Sequence, residues 1–278
     1  MSVTKRLAWN SYYKKAECFL YHDVVDSIYM TRDLKENSGM KEFSSIRIDE
    51  IDKVVRILNK DNYNLYEALP PNQPVKPYFD LEMEYKGLTD RLIEIKINNF
   101  IKWLIKEINL VFKVSISRED LVILNSSRHE KLSYHIIITR KIYFASVADH
   151  KLFINYLVTI FKCCPGYDAR EINRFKYTNS KGKEGYIFDH IPYGKDQNVR
   201  FINQSKKGKP HVLKNITSNY SIRDTFIRLY EGIGDRVLLN VRDLNNSVVA
   251  RSFLSPLGTP NNIIENRPRI TFNKFKNP

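Results

Sequence analysis

Apolar residues recur at helical spacing in some segments and alternate or run together in others, and the order of these patterns predicts a mixed α/β chain. Residues 12–35 and 45–60 read as helical, the second because Ile48, Ile51, Val54, Val55 and Leu58 fall on one face. A β region follows: Tyr66 to Leu69 is a short strand candidate, Pro70, Pro71 and Pro74 make a stiff turn, and Tyr78 to Met83 alternates polar with apolar. Thr89 stands where it can cap a long helix with the apolar stripe Ile93, Ile97, Phe100, Ile101, Leu104, Ile108, Val111 and Phe112. Leu121 to Leu124 and the β-branched run Leu132 to Ile138 read as a strand pair around a Ser/Arg/His loop. Ser146 followed by Asp149 resembles a capping box for a helix over about 146–161. Tyr186 to Asp189 and Asn198 to Ile202 are the last strand candidates, and after about residue 245 the chain turns polar and rich in Asn and Pro.

Composition sharpens this picture in one respect. A hydrophobic content of 42 % supports a packed core, while 45 Lys and Arg against 31 Asp and Glu leave a net charge of +14, which points to a polyanionic partner. No window approaches the roughly 18 uninterrupted apolar residues of a membrane span, and the start lacks a signal peptide's apolar stretch, so an intracellular protein without a membrane partner is expected. Three cysteines, Cys18 and the adjacent Cys163 and Cys164, offer no spacing for zinc, so none is expected in this chain.

Three clusters could carry chemistry. Asp80 and Glu82 at i and i+2 of a strand share a face, where two like charges are costly without a cation between them. A divalent ion such as Mg²⁺ or Mn²⁺ suits these hard oxygens, and a solvated strand face is the simpler reading. Alternation also sends Lys131, Ser133 and His135 to one side of the next strand, which suits a triphosphate or a half-exposed edge with a packing histidine. Asp189 follows the apolar Tyr186, Ile187 and Phe188 and precedes the basic Lys195, Arg200, Lys206, Lys207, Lys209 and Lys214, which fits a third metal carboxylate in a phosphate-binding segment or a solvated charged face.

Taken in order, the clusters resemble the archaeo-eukaryotic primase (AEP) superfamily, and within it the PrimPol and large-DNA-virus primase branch, over roughly residues 62–210. Tyr66-Glu67 followed by Lys76-Pro77-Tyr78-Phe79-Asp80-Leu81-Glu82 looks like the first motif, Ser126-Ser127 with Lys131-Leu132-Ser133-Tyr134-His135 the second, and Asp189, Tyr193, Asn198, Arg200, Ser205, Lys206, Gly208 and Lys209 the third. D-x-E in place of D-x-D favours the viral and PrimPol branch, whereas the Cys/His zinc module that follows the core in related primases has no counterpart here.

The resemblance implies an α/β fold in which an N-terminal helical and mixed module packs on an RRM-like sheet with the active site between them. Residues 1–62 would be the N-terminal helical part, 63–245 the catalytic core, and 246–278 a polar tail or linker to a downstream region. It further implies template-directed nucleotidyl transfer from NTPs or dNTPs to a primer 3′-hydroxyl on single-stranded DNA. Asp80, Glu82 and Asp189 would hold two Mg²⁺ or Mn²⁺ ions, and Lys131, Ser133, His135, Arg200 and Lys206 would fix the triphosphate. Arg170, Arg174, Lys176, Lys181 and Lys183 are candidates for template or primer phosphates, and a downstream helicase domain or replication proteins are candidate partners. Two other classes share parts of the pattern: a non-catalytic RRM-like module that binds single-stranded nucleic acid, which has no use for three aligned carboxylates, and a metal-dependent nuclease, which needs no triphosphate site.

Overall fold

The computed structural model describes residues 11–21, 25–36, 39–84, 89–128, 131–163, 175–189, 193, 197–241 and 244. The expected tail at 246–278 lies outside the described residues, as do Arg170 and Arg174. The first half of the chain runs β1 (Ser11–Tyr12), α1 (Lys15–Tyr21), β2 (Ser27–Asp33), β3 (Lys41–Arg47), α2 (Ile51–Lys60), β4 (Leu65–Ala68), β5 (Tyr78–Glu84), α3 (Asp90–Phe112), β6 (Leu121–Asn125) and β7 (Lys131–Ile138). The second half runs β8 (Ile142–Tyr143), α4 (Val147–Cys163), β9 (Lys176–Thr178), β10 (Glu184–Tyr186), β11 (Phe188–Asp189), β12 (Asn198–Arg200), β13 (Lys214–Asn215) and β14 (Val237–Leu238).

Among the described residues two five-stranded sheets organise the fold, one in the order β1-β3-β2-β4-β12 and the other in the order β11-β5-β7-β6-β13. Within the second, β5-α3-β6-β7-α4-β11 with spatial order β11-β5-β7-β6 and antiparallel neighbours throughout is a split βαββαβ arrangement, the RRM-like order that the resemblance implies.

The N-terminal part corrects the sequence reading. In place of a helix over 12–35, only Lys15–Tyr21 is helical, and Ser27–Asp33 is a strand paired with β3 on one side and β4 on the other. Ile28, Tyr29, Met30 and Thr31 are all buried, and a strand covered on both faces loses the alternation that would have identified it. The helix expected over 45–60 begins at Ile51, because Ser44, Ser45 and Ile46 complete β3 and Ile48–Glu50 form one 3₁₀ turn. Its buried face is Val54 and Leu58.

The long helices follow their patterns. Thr89 caps α3, its hydroxyl accepting from the Leu92 N–H at 3.4 Å, and the predicted apolar stripe is buried along it. The hydroxyl of Ser146 accepts from the Asp149 N–H at 3.1 Å ahead of α4. Both helices cover the face of the second sheet that carries Phe79, Leu81 and Phe188: Phe79 meets Phe153 of α4, and Phe188 stacks on Phe100 of α3. No helix among the described residues is long and apolar enough to cross a membrane.

A shared core joins the sheets, and buried polar groups fasten a late segment of the chain to the first of them. Glu67 of β4, 1 % exposed, accepts from the backbone N–H groups of Ile227 at 2.7 Å and Arg228 at 2.9 Å. Arg228 in turn donates to the carbonyls of Ser27 at 2.6 Å and Val25 at 3.0 Å, so one acid and one base fasten the 225–230 segment across the first sheet. Removing an acceptor strands buried donors at about 1–3 kcal/mol each. Glu67→Ala should therefore lower unfolding stability by roughly 2–5 kcal/mol in urea titrations, and an unchanged midpoint would show that the carboxylate is not holding this segment.

Candidate active site

The strand register brings the acidic residues together. Asp80 on β5 lies opposite His135 on β7 and opposite Asp189 on β11, while Glu82 lies opposite Ser133 and Glu84 opposite Lys131. Directly opposed residues of an antiparallel pair share a face, so Asp189, Asp80 and His135 form one row and Glu82 and Ser133 the next, on the face turned away from the helices. The side expected for Lys131, Ser133 and His135 is the side this register gives them.

A cleft runs over these rows between the two sheets. One cavity of about 230 Å³ is lined by Asp80, Glu82, Ser133 and His135 from the second sheet and by Tyr66 and Arg200 from the first, with Lys206 beside them. A second of about 190 Å³ shares Glu82, Ser133, Arg200 and Lys206 and adds Arg128, Lys131, Lys209 and His211. The cleft is therefore acidic at one end and strongly basic at the other. Ser126, Arg128 and His211 complete the basic end. Ser126 lies in the second motif but carries no charge signal, and His211 arrives through a loop that no pattern marks.

Each charged group is held in place. Arg200, 8 % exposed, spans the gap between the sheets, its Nη2 donating to the Ser126 hydroxyl at 2.8 Å and its Nη1 to the His211 carbonyl at 3.4 Å, while its buried Nε has no hydrogen-bond partner. Ser126 passes the connection to the Ser133 hydroxyl at 3.1 Å. Lys206 is fixed by what precedes and follows it. Ser205 and Gln204 are buried in a network with Asn62, Asn64 and the Tyr63 N–H, and Gly208 adopts φ +72° where an added Cβ would collide with the Glu36 carboxylate. The polar Ser205–Lys209 run is thus a built loop. Beneath the acidic end, the Asp80 N–H donates to the Tyr193 hydroxyl at 2.8 Å, which pins β5 at Asp80.

Burial governs the acid–base state. Asp80 is pushed up to about 7 by burial first, then by the Glu82 and Asp189 carboxylates, against the opposing pull of Lys206 and Arg200. Its side chain keeps 24 % of its surface at the cleft mouth, yet its Oδ1 is buried with no hydrogen-bond donor, and the His135 Nε2 stands 3.6 Å away. His135 is driven down to about 3 by burial and by Arg200 and Lys206, so at neutral pH it faces Asp80 as a neutral imidazole. Lys131 holds the Glu82 carboxylate at 2.9 Å. Among the described residues no three His, Cys, Asp or Glu side chains close into a complete metal-ligand group. The donor types still fit a hard divalent cation, because Asp80 presents an unpartnered buried oxygen and two further carboxylates raise its pKa across the same face.

Of the residues expected at the site, Asp80, Glu82, Ser133, His135, Arg200 and Lys206 line the first cavity, and Lys131 lines the second. Asp189 joins them through its pairing with Asp80. Lys176, Lys181 and Lys183 lie on the β9–β10 hairpin and line neither of these two cavities. No protein-family model matches the chain. It is similar to a protein of Ostreid herpesvirus 1 (isolate France) described as "Putative primase", with 22 % identity over 201 residues, covering 66 % of this chain and 16 % of that protein. The relationship is primase-like. The chain spans about 16 % of the length of this relative.

The raised Asp80 pKa has a sign that can be tested. Because its value in the fold lies above the ordinary carboxylate value of 3.8, Asp80 favours the folded state most at low pH, and that advantage is lost as pH rises toward about 7. In divalent-free buffer Asp80→Asn should therefore raise the thermal midpoint more at pH 8 than at pH 5. An equal shift at both pH values would show that Asp80 ionises normally.

Proposed function

We propose that this chain carries the nucleotidyl-transfer core of a primase-polymerase of the archaeo-eukaryotic primase superfamily, in the PrimPol and large-DNA-virus branch. The observation that carries this reading is a single cleft with a row of carboxylates at one end and Arg200, Lys206, Lys209 and Arg128 at the other. A nuclease has no use for the second half, and a passive nucleic-acid module has no use for the first. The similarity to the viral protein described as "Putative primase" supports the primase part of this reading.

Asp80, Glu82 and Asp189 would hold two Mg²⁺ or Mn²⁺ ions, whose chemistry is to lower the pKa of a primer 3′-hydroxyl and to neutralise charge on the triphosphate. The chain's own residues do the positioning. Arg200, fixed through Ser126 and His211, presents its planar guanidinium to phosphate oxygens, and Lys206 adds a second charge from its built loop. Ser133 and the neutral His135 offer hydrogen bonds in the same row without adding charge. Lys131 is paired with Glu82, so its charge becomes available to phosphate once Glu82 turns to a cation. The substrates in this reading are NTPs or dNTPs, a single-stranded DNA template and a primer–template duplex, in an intracellular replication setting and with a downstream helicase domain or replication proteins as partners.

Primer extension on single-stranded DNA, with Mg²⁺ or Mn²⁺ and with NTPs or dNTPs, tests the proposal. Asp80→Ala and Asp189→Ala should each abolish nucleotide addition while the protein stays folded, and Arg200→Lys should raise the KM for nucleotide more than it lowers kcat. Near-normal activity of Asp189→Ala would remove β11 from the site.

A further inference from the structure

The two ends of the cleft set a direction. In-line displacement places the attacking hydroxyl on the side opposite the leaving pyrophosphate. The cations that suit the leaving group lie toward β7 and β12, whereas the carboxylate row ends at Asp189 on β11, the edge strand of the second sheet. The incoming primer end therefore has to approach over β11, and the β9–β10 hairpin stands there.

This hairpin is rigidly mounted. At its base Tyr186 stacks on Phe161 of α4, with centroids 5.1 Å apart, and Lys96 of α3 donates to the Lys176 carbonyl at 3.3 Å. At its tip the Ser180 N–H and hydroxyl donate to Glu84 at 3.1 and 2.9 Å, which fastens the turn to the end of the strand that carries Asp80 and Glu82. Asn179 accepts from the N–H groups of Lys181 and Lys183 and closes the loop around Gly182, whose φ is +75°.

One aromatic side chain on the hairpin shares the face of the carboxylates. Tyr177 lies directly opposite Gly185, and its ring rests against that glycine so closely that an added Cβ would come within 3.1 Å of Cε1. Tyr177 is half-buried and shares the face of Gly185, opposite to the one on which Tyr186 meets α4, so it stands on the side of the sheet that carries the carboxylates; burial raises the pKa of its hydroxyl, and Glu84, Glu82 and Asp189 add to the rise. Lys181 and Lys183 are exposed at the tip, with Glu184 as the one acid between residues 176 and 186.

We propose that the β9–β10 hairpin grips the primer strand of a primer–template duplex, with Tyr177 as the platform for the 3′-terminal nucleotide and Lys181 and Lys183 on its backbone phosphates. This deepens the reading above and rests on it. The physical basis is that an aromatic ring fixed on a glycine keeps little rotamer freedom to lose on binding, while stacking tolerates any base.

Equilibrium binding of the full chain to a fluorescein-labelled primer–template, measured by anisotropy, is the direct test, with a fluorescent nucleoside triphosphate plus Mn²⁺ as the control ligand. Tyr177→Ala should weaken duplex binding roughly tenfold and leave triphosphate binding within about twofold, and Tyr177→Phe should restore the duplex affinity. Lys181→Ala with Lys183→Ala should weaken duplex binding and flatten its salt dependence by up to about 0.9 in log–log slope per lost phosphate contact. Wild-type duplex affinity in Tyr177→Ala, or an equal loss of triphosphate binding, would overturn the assignment. A wild-type chain that binds the duplex through these residues but adds no nucleotide would sink the polymerase reading alone. Primer extension by Tyr177→Ala with an unchanged KM for primer would sink the hairpin assignment alone.

Discussion

The cleft depends on an electrostatic conflict that the strand register creates and does not resolve. Pairing β11 with β5 and β5 with β7 sets Asp189, Asp80 and Glu82 on one face, where burial and mutual repulsion hold Asp80 near neutrality. A sheet built only for stability would place apolar residues there, as it does on the opposite face with Phe79, Leu81 and Met83. The unfavourable charge is offset by packing elsewhere, above all by the aromatic cluster of α3 and α4 behind the same strands. The strain is confined to one face and sits next to an orphaned carboxylate oxygen.

Much of the second sheet was legible in the sequence because its signals are local. Thr89 and Ser146 mark helix starts by their side-chain chemistry, and the alternation in Tyr78 to Met83 shows which residues share a face. The shared face of Asp80, Glu82, Lys131, Ser133 and His135 was legible for the same reason, since D-x-E and K-x-S-x-H are periodic patterns that survive folding unchanged. The first sheet was not, because β2 is covered on both sides and its run Ile28, Tyr29 and Met30 carries no period to distinguish strand from helix. The basic end of the cleft was only half legible. Arg200 and Lys206 stand out by charge, but the residues that aim them are Ser126, Gln204, Ser205 and Asn62, whose roles come from contacts across 74 to 143 positions of chain.

Polar residues buried between the sheets do work usually assigned to apolar ones. Gln204, at 0 % exposed, binds the Tyr63 N–H and the Asp61 carbonyl, and so orients the loop that carries Lys206 more specifically than a nonpolar contact of the same size could. Directional contacts suit a loop that must present a charge at a fixed position, because a wrong rotamer leaves a donor or acceptor unsatisfied and is disfavoured for that reason alone.

The weave of the two sheets has a consequence for how the protein comes into being. β4 pairs with β12 across more than half of the described chain, and Glu67 meets its backbone partner 160 residues further on. The first wall of the cleft is therefore not fastened until the ribosome has delivered the segment around Ile227. Contacts of such long range close late and slowly, so a nascent chain passes through a stage in which the first sheet lacks an edge and the carboxylate strand has no opposing wall. An N-terminal fragment ending before β12 would carry Asp80, Glu82 and Asp189 and only Arg128 and Lys131 of the basic set, and its unpaired β4 edge would be open to pairing with other chains.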